Sequence, residues 1–200
     1  ITNTTVIAFG ANEGNILNTN ILAIRSNMTG TGGVTYSGAG TTTLNTLVKS
    51  LTGMTTINAG TLTVGIANAI NSAGSVTVGP VATFTNGNFA ETITSLILYS
   101  GSTSGATVRT GTGTLTLLST GGGSVALNVN GSGAVGATIS TTATGPLALG
   151  ASRIFMVIDC DSSNVLTVSV IISGSTYGIT KNGAGTLVLS GNNSYSGANT

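Results

Sequence analysis

Few residues in this chain can do chemistry. The carboxylates are Glu13, Glu91, Asp159 and Asp161, the cations are Arg25, Lys49, Arg109, Arg153 and Lys181, and the one thiol is Cys160. Histidine is absent, so Ser-His-Asp and Cys-His nucleophiles cannot be assembled and no imidazole can serve as general base. Glycoside hydrolysis needs two carboxyl groups held at a fixed separation across the scissile bond, and the acids are too sparse to promise that. Asp159-Cys160-Asp161 is the single acidic cluster. Calcium asks for six to eight oxygen ligands, more than two aspartates supply. A period-two reading puts Ile154, Met156, Ile158 and Cys160 on one strand face, with Cys160 a buried small hydrophobe and both aspartates at a solvated turn. That reading is preferred, so no catalytic residue, metal or cofactor is expected.

The rest of the composition narrows the class further. Charged residues make up 4% of 200, with a net charge of +1, against roughly 25% in an ordinary domain. A chain this apolar and uncharged is not of the disordered type. It has no basic stripe to neutralise phosphates, so nucleic acid is excluded as a partner. No apolar run reaches the length of a membrane-spanning helix, and one cysteine forms no internal disulfide. The chain begins at Ile1 without a signal peptide, which points to processing or to a longer parent.

The elements that must position these residues are short strands. Gly, Thr, Ser, Asn and Val are weak helix formers, and no sustained three-four apolar spacing occurs; Gly65 to Ile70 is too short to be a helix. Apolar-x-apolar centres occur at Leu22-Ala23-Ile24, Leu62-Thr63-Val64, Val76-Thr77-Val78, Leu96-Ile97-Leu98, Leu115-Thr116-Leu117, Leu147-Ala148-Leu149, Leu166-Thr167-Val168 and Leu187-Val188-Leu189. Many lie near twenty residues apart, and the long interval from Leu117 to Leu147 holds an extra strand, Val125 to Val129, and a Gly-rich insertion. Gly-x-Gly-Thr opens three of these stretches, at Gly38, Gly111 and Gly183, at separations of 73 and 72 residues. Self-similarity on these scales is the signature of a solenoid. The fold class expected is all-β: a single parallel β-helix over residues 1–200, about twenty residues per coil. Ten such coils stacked at about 4.8 Å would give a rod of about 45–50 Å. Leu62, Val64, Leu115, Leu117, Leu166, Val168, Leu187 and Leu189 are expected to point into it.

Tyr177 to Gly197, YGITKNGAGTLVLSGNNSYSG, resembles the passenger-associated repeat of bacterial autotransporters and related large surface proteins. Ala151 to Ser175 is similar to the stretch that precedes that repeat, and Thr55 to Gly65 is similar to the stretch on its C-terminal side. The resemblance implies a right-handed parallel β-helix, exposed on a bacterial surface or secreted, without catalytic residues. The family's membrane-barrel translocator is not in the sequence.

Other motifs have plainer explanations. Thr-x-Thr occurs at Thr41/Thr43, Thr61/Thr63, Thr112/Thr114 and Thr114/Thr116. Regular ranks of such pairs resemble the surface of ice-binding solenoids, but the pairs do not recur in every coil, and Thr is also the ordinary outward partner of an inward Leu. Asn-x-Ser/Thr at Asn3, Asn27, Asn130 and Asn192 is common by chance in such a composition. Gly-x-Gly opens strands rather than a helix, which is the wrong context for a nucleotide loop.

The ends suggest a partner. Neither end reads as a polar cap. Written head to tail, Thr200-Ile1 falls on Thr56-Ile57, Asn3 lies near Asn58, and Thr5-Val6 falls near Thr61-Leu62. The end-to-end contact is therefore placed at Ile1, Thr2, Asn3, Thr5 and Val6 on one side and Tyr195, Ala198, Asn199 and Thr200 on the other. The expected partner is another copy, or an adjacent tandem unit. The expected function is a structural extracellular building block that stacks into a surface filament or matrix fibre. The alternative is an adhesin passenger displaying a site for a cell-surface or glycan receptor, for which Ser119 to Gly136 is the available insertion.

Overall fold

The computed structural model describes residues 6–46, 50–118, 124–129, 135–158 and 165–200. These residues form strands and turns, with no helix among them. Every pairing between named strands is parallel, and successive turns of chain stack into a β-solenoid of about 8 coils. Alternation of apolar and polar residues is what a sheet closed around one core requires, because successive side chains point to opposite faces.

Each coil visits up to three faces. One long face stacks Gly14–Leu17, Val34–Ser37, the first parts of Thr55–Val64 and Ser75–Gly87, then Ser95–Ser100, Ser124–Val129, Arg153–Val157 and Ile179–Asn182. The other long face stacks Ile21–Ile24, Thr41–Leu44, the second parts of Thr55–Val64 and Ser75–Gly87, then Thr107–Thr110, Ala137–Thr141, Val165–Val168 and Thr186–Leu189. A short face carries Val6–Gly10, Asn27–Gly30 and Ser50–Leu51, and beyond a turn over 65–74 it resumes with Glu91–Ile93, Leu115–Leu117, Leu147–Leu149 and Ile172–Ser173.

The core runs down the middle. Leu62, Val64, Leu115, Leu117, Leu166 and Val168 are buried as the alternation requires. Leu187 and Leu189 also face inward but are only half-buried, packed against the core from the last coil.

Three expectations are corrected. There are eight coils rather than ten, because the middle coils are long. Neighbouring rungs are 20 residues apart at Ile21 and Thr41 but 32 apart at Leu115 and Leu147. At about 4.8 Å per rung the rod is about 38 Å long. The second Gly-x-Gly is not a copy of the others. Gly38/Gly40 and Gly183/Gly185 sit at the corner between the two long faces, whereas Gly111/Gly113 sits between a long face and the short one. All serve a common need: a Cβ on Gly40 would lie 2.3 Å from the Asn20 carbonyl oxygen, and one on Gly113 2.1 Å from that of Phe89. Finally, Arg153, Phe155 and Val157 point inward while Ile154 and Ile158 are exposed and Met156 lies outward between them. Apolarity cannot set the phase of the run Ile-Phe-Met-Val-Ile. Stacking sets it, by placing Phe155 on Val125 and Val125 on Leu96. Asp159-Cys160-Asp161 lies outside the described residues.

Candidate functional site

Glu91 and Arg153 are charged side chains with structural tasks. Glu91 is fully buried; Oε2 accepts the Ala69 N–H at 2.8 Å and the Ile70 N–H at 3.4 Å, tying down the turn that interrupts the short face. A carboxylate is a strong acceptor for such otherwise unsatisfied donors. Arg153 is also buried, and Nη2 donates to the carbonyls of Leu117, at 2.8 Å, and Leu118. Burial disfavours its charged form, an effect opposed by nearby Tyr177. Neither burial is legible from local sequence, because both residues occupy positions where alternation alone would allow either face. Arg25 and Arg109 are exposed, as is Glu13, which accepts a hydrogen bond from Thr35 Oγ1. Lys181 Nζ donates to the Gly183 carbonyl. Among the described residues, no three His, Cys, Asp or Glu side chains converge on a point that could hold a metal ion, and no helix is long and apolar enough to cross a membrane.

The two end coils are where the end-contact residues fall. Ile1, Thr2, Asn3 and Thr5 lie outside the described residues. Val6 is half-exposed and pairs with Asn27 on the short face. Leu62 lies on the second long face, so the register that matched Thr5-Val6 to Thr61-Leu62 does not hold. The match in residue type was good, but the chain takes a different corner. Around Val6 the inward Phe9, Ile16 and Leu22 are only partly buried. Ile7, Ile16, Leu22 and Ile24 help to line a depression of about 230 Å³. At the opposite end Leu187, Leu189 and Tyr195 each pack, partly buried, against the core, and Ala198, Asn199 and Thr200 are exposed. Thr200 nonetheless begins a new rung: its N–H donates to the Ile179 carbonyl at 3.0 Å and its carbonyl accepts from Lys181 at 2.8 Å.

The outward faces differ from one another. The Thr41/Thr43 and Thr61/Thr63 pairs stack in register on the second long face, and Thr83/Thr85 stacks on Thr61/Thr63. Sequence reading passed over that third pair, although Thr83-Phe84-Thr85 carries the same threonine–apolar–threonine signature. Thr112, Thr114 and Thr116 lie elsewhere, at a corner and on the short face. On the first long face, Thr56, Asn58, Thr77, Gly79, Pro80 and Tyr99 help to line a groove of about 340 Å³.

The described residues form a parallel β-solenoid with an apolar interior and with Glu91 and Arg153 buried on backbone groups. Residues 34–64 and 179–200 match the family model described as Passenger-associated-transport-repeat. The two matches start at equivalent strands, Val34–Ser37 and Ile179–Asn182, and each then contains a Gly-Ala-Gly corner and a threonine-led strand. The Gly111 stretch, at its different corner, lies outside both matches, and so does Ala151 to Ser175. No curated protein and no solved structure matches the chain.

Proposed function

We propose that the chain is a structural rod of an autotransporter-type passenger, presented at or beyond a bacterial surface, whose end coils are covered by β-stacking with a further copy of the same unit. The observation that carries this reading is how the repeat is laid down. In residues 34–64 the second half, Thr55–Val64, is the rung that stacks on the first half, with Val34 beside Thr55 and Leu44 beside Val64. In residues 179–200 the first half is in place and Asn199 bridges to Ile179 one coil on. The ladder over Thr186–Leu189 is thus a template for another rung, and Leu187, Leu189 and Tyr195 gain burial when it is filled. A head-to-tail contact of this kind does not close and grows into a filament. The reading is non-catalytic: Glu91 and Arg153 are spent on backbone groups.

Electron microscopy of the purified chain at high concentration tests it. The expected result is unbranched fibres along the solenoid axis with a rise per unit of about 38 Å from the strand spacing, insensitive to salt because the contact holds almost no charge to screen. Discrete monomers, or fibres of rods packed side by side, would overturn it. The groove beside Tyr99 favours a second reading, the adhesin passenger, since an aromatic ring flanked by Asn58, Thr56 and Thr77 suits a neutral glycan. A glycan array separates the two.

A further inference from the structure

The second long face carries an ordered array that no other face repeats. Thr41, Thr61, Thr83, Thr107, Thr138 and Thr167 stack directly upon one another over six consecutive rungs. The rank is bounded by Ile21 at one end and Val188 at the other. A parallel rank beside it runs Ala23, Thr43, Thr63, Thr85, Arg109 and Ser140. Strand propensity and outward exposure favour Thr at each of these positions, but they act on the outward positions of every face alike. On the first long face the corresponding rank reads Asn15, Thr35, Thr56, Thr77, Ile97, Ala126 and Met156, and on the short face Thr92, Thr116, Ala148 and Ser173. The rank is therefore a property of one face, not of the fold.

We infer that this face binds ice. Rungs are about 4.8 Å apart and alternate residues along a strand about 6.6 Å apart, so the three rungs Thr41/Thr43, Thr61/Thr63 and Thr83/Thr85 form a rectangular net of methyl and hydroxyl groups close to the spacing of oxygen atoms on the faces of an ice crystal, and the first rank extends it as a single row. Six rungs span about 24 Å. Of these Thr hydroxyls, only that of Thr85 has a protein partner among the described residues, accepting the Gly87 N–H at 3.1 Å; the others are open to water. The methyls order the adjoining water while the hydroxyls anchor it in register. Arg109, within the second rank between Thr85 and Ser140, is the one ionised group of the array, and the three rungs of paired threonines, Thr41/Thr43, Thr61/Thr63 and Thr83/Thr85, lie together on one side of it. A second protein surface would need hydrophobic or charged anchors, and the threonine rank offers neither. The inference is independent of what covers the rod ends.

The test uses the 200-residue chain in two assays: its uptake into a slowly grown ice hemisphere, compared with an inert protein, and the gap between freezing and melting points in its presence. The expected result is enrichment in the ice and a measurable gap. Thr61→Tyr should abolish both, since a ring projecting from the centre of the net breaks its flatness, and Tyr is well tolerated in strands. Ile97→Tyr on the other long face should leave both unchanged, and Thr83→Tyr serves as a second variant should Thr61→Tyr fail to give the native circular dichroism spectrum. Exclusion of the wild-type chain from ice, or equal uptake of the wild type and a folded variant of the net, would overturn the inference. So would sedimentation showing a dimer that Thr61→Tyr dissociates, because the net would then be an interface between copies.

Discussion

Arg153 reaches back 36 residues to place Nη2 2.8 Å from the carbonyl oxygen of Leu117. The bond joins the Arg153–Val157 strand on a long face to the Leu115–Leu117 strand on the short face, and the same nitrogen also serves Leu118. A buried cation survives at this corner because backbone carbonyls stand in for the water it has lost.

Arg153→Ala should therefore destabilise the rod. Loss of the charge-assisted bonds and exposure of a buried acceptor cost about 1–3 kcal/mol, and the emptied volume adds to that. Arg153→Met should recover part of the loss, since a hydrophobe of similar volume often replaces a buried ion at little cost. Denaturant unfolding of the three proteins measures this. An Arg153→Ala variant within about 0.5 kcal/mol of wild type, the range of ordinary surface changes, would remove the structural role.

Leu62 and Leu187 separate the middle of the rod from its end. Leu62 is fully buried, so Leu62→Ala should cost about 2–5 kcal/mol as a core truncation. Leu187 faces the same core from the last coil but remains partly open, so Leu187→Ala should cost less in dilute monomer. The proposed end-to-end stacking would bury Leu187, so at protein concentrations that favour it the gap between the two variants should narrow. Thermal melts at two protein concentrations distinguish these cases.

Tyr36 gives the rod a weakness to alkali. It is buried in the second coil, and desolvation pushes its phenol well above the ordinary value. A raised folded-state pKa means that the stabilisation is complete below the unfolded value of about 10 and is lost as pH rises above it, because the unfolded chain releases the proton more readily. Stability should fall through and above about pH 10. Tyr36→Phe should flatten that fall, whatever the substitution does to stability at neutral pH. Identical pH slopes for the two proteins would show that Tyr36 does not govern the alkaline limit.

Much of this molecule is local and was therefore legible in its sequence. Alternation fixed the inward side of Leu62, Leu115 and Leu166 without any knowledge of their neighbours, since a strand has only two faces and threonine marks one of them. Glycine and asparagine fixed the turns, and the Gly-Ala-Gly corners at Gly38 and Gly183 identified the repeat. Which strand lies on which was decided only by the tertiary structure, because coil length varies with insertions that leave no periodic trace. That is why Gly111 looked like a third copy while turning a different corner, why Val6 matched Leu62 in type but lies on another face, and why Phe155 points inward from an unbroken apolar run with the charged Arg153 on the same inward side. The threonine net has the same origin: each Thr-x-Thr is visible alone, but the rank exists only once six coils of unequal length have been brought into register by their shared backbone hydrogen bonds.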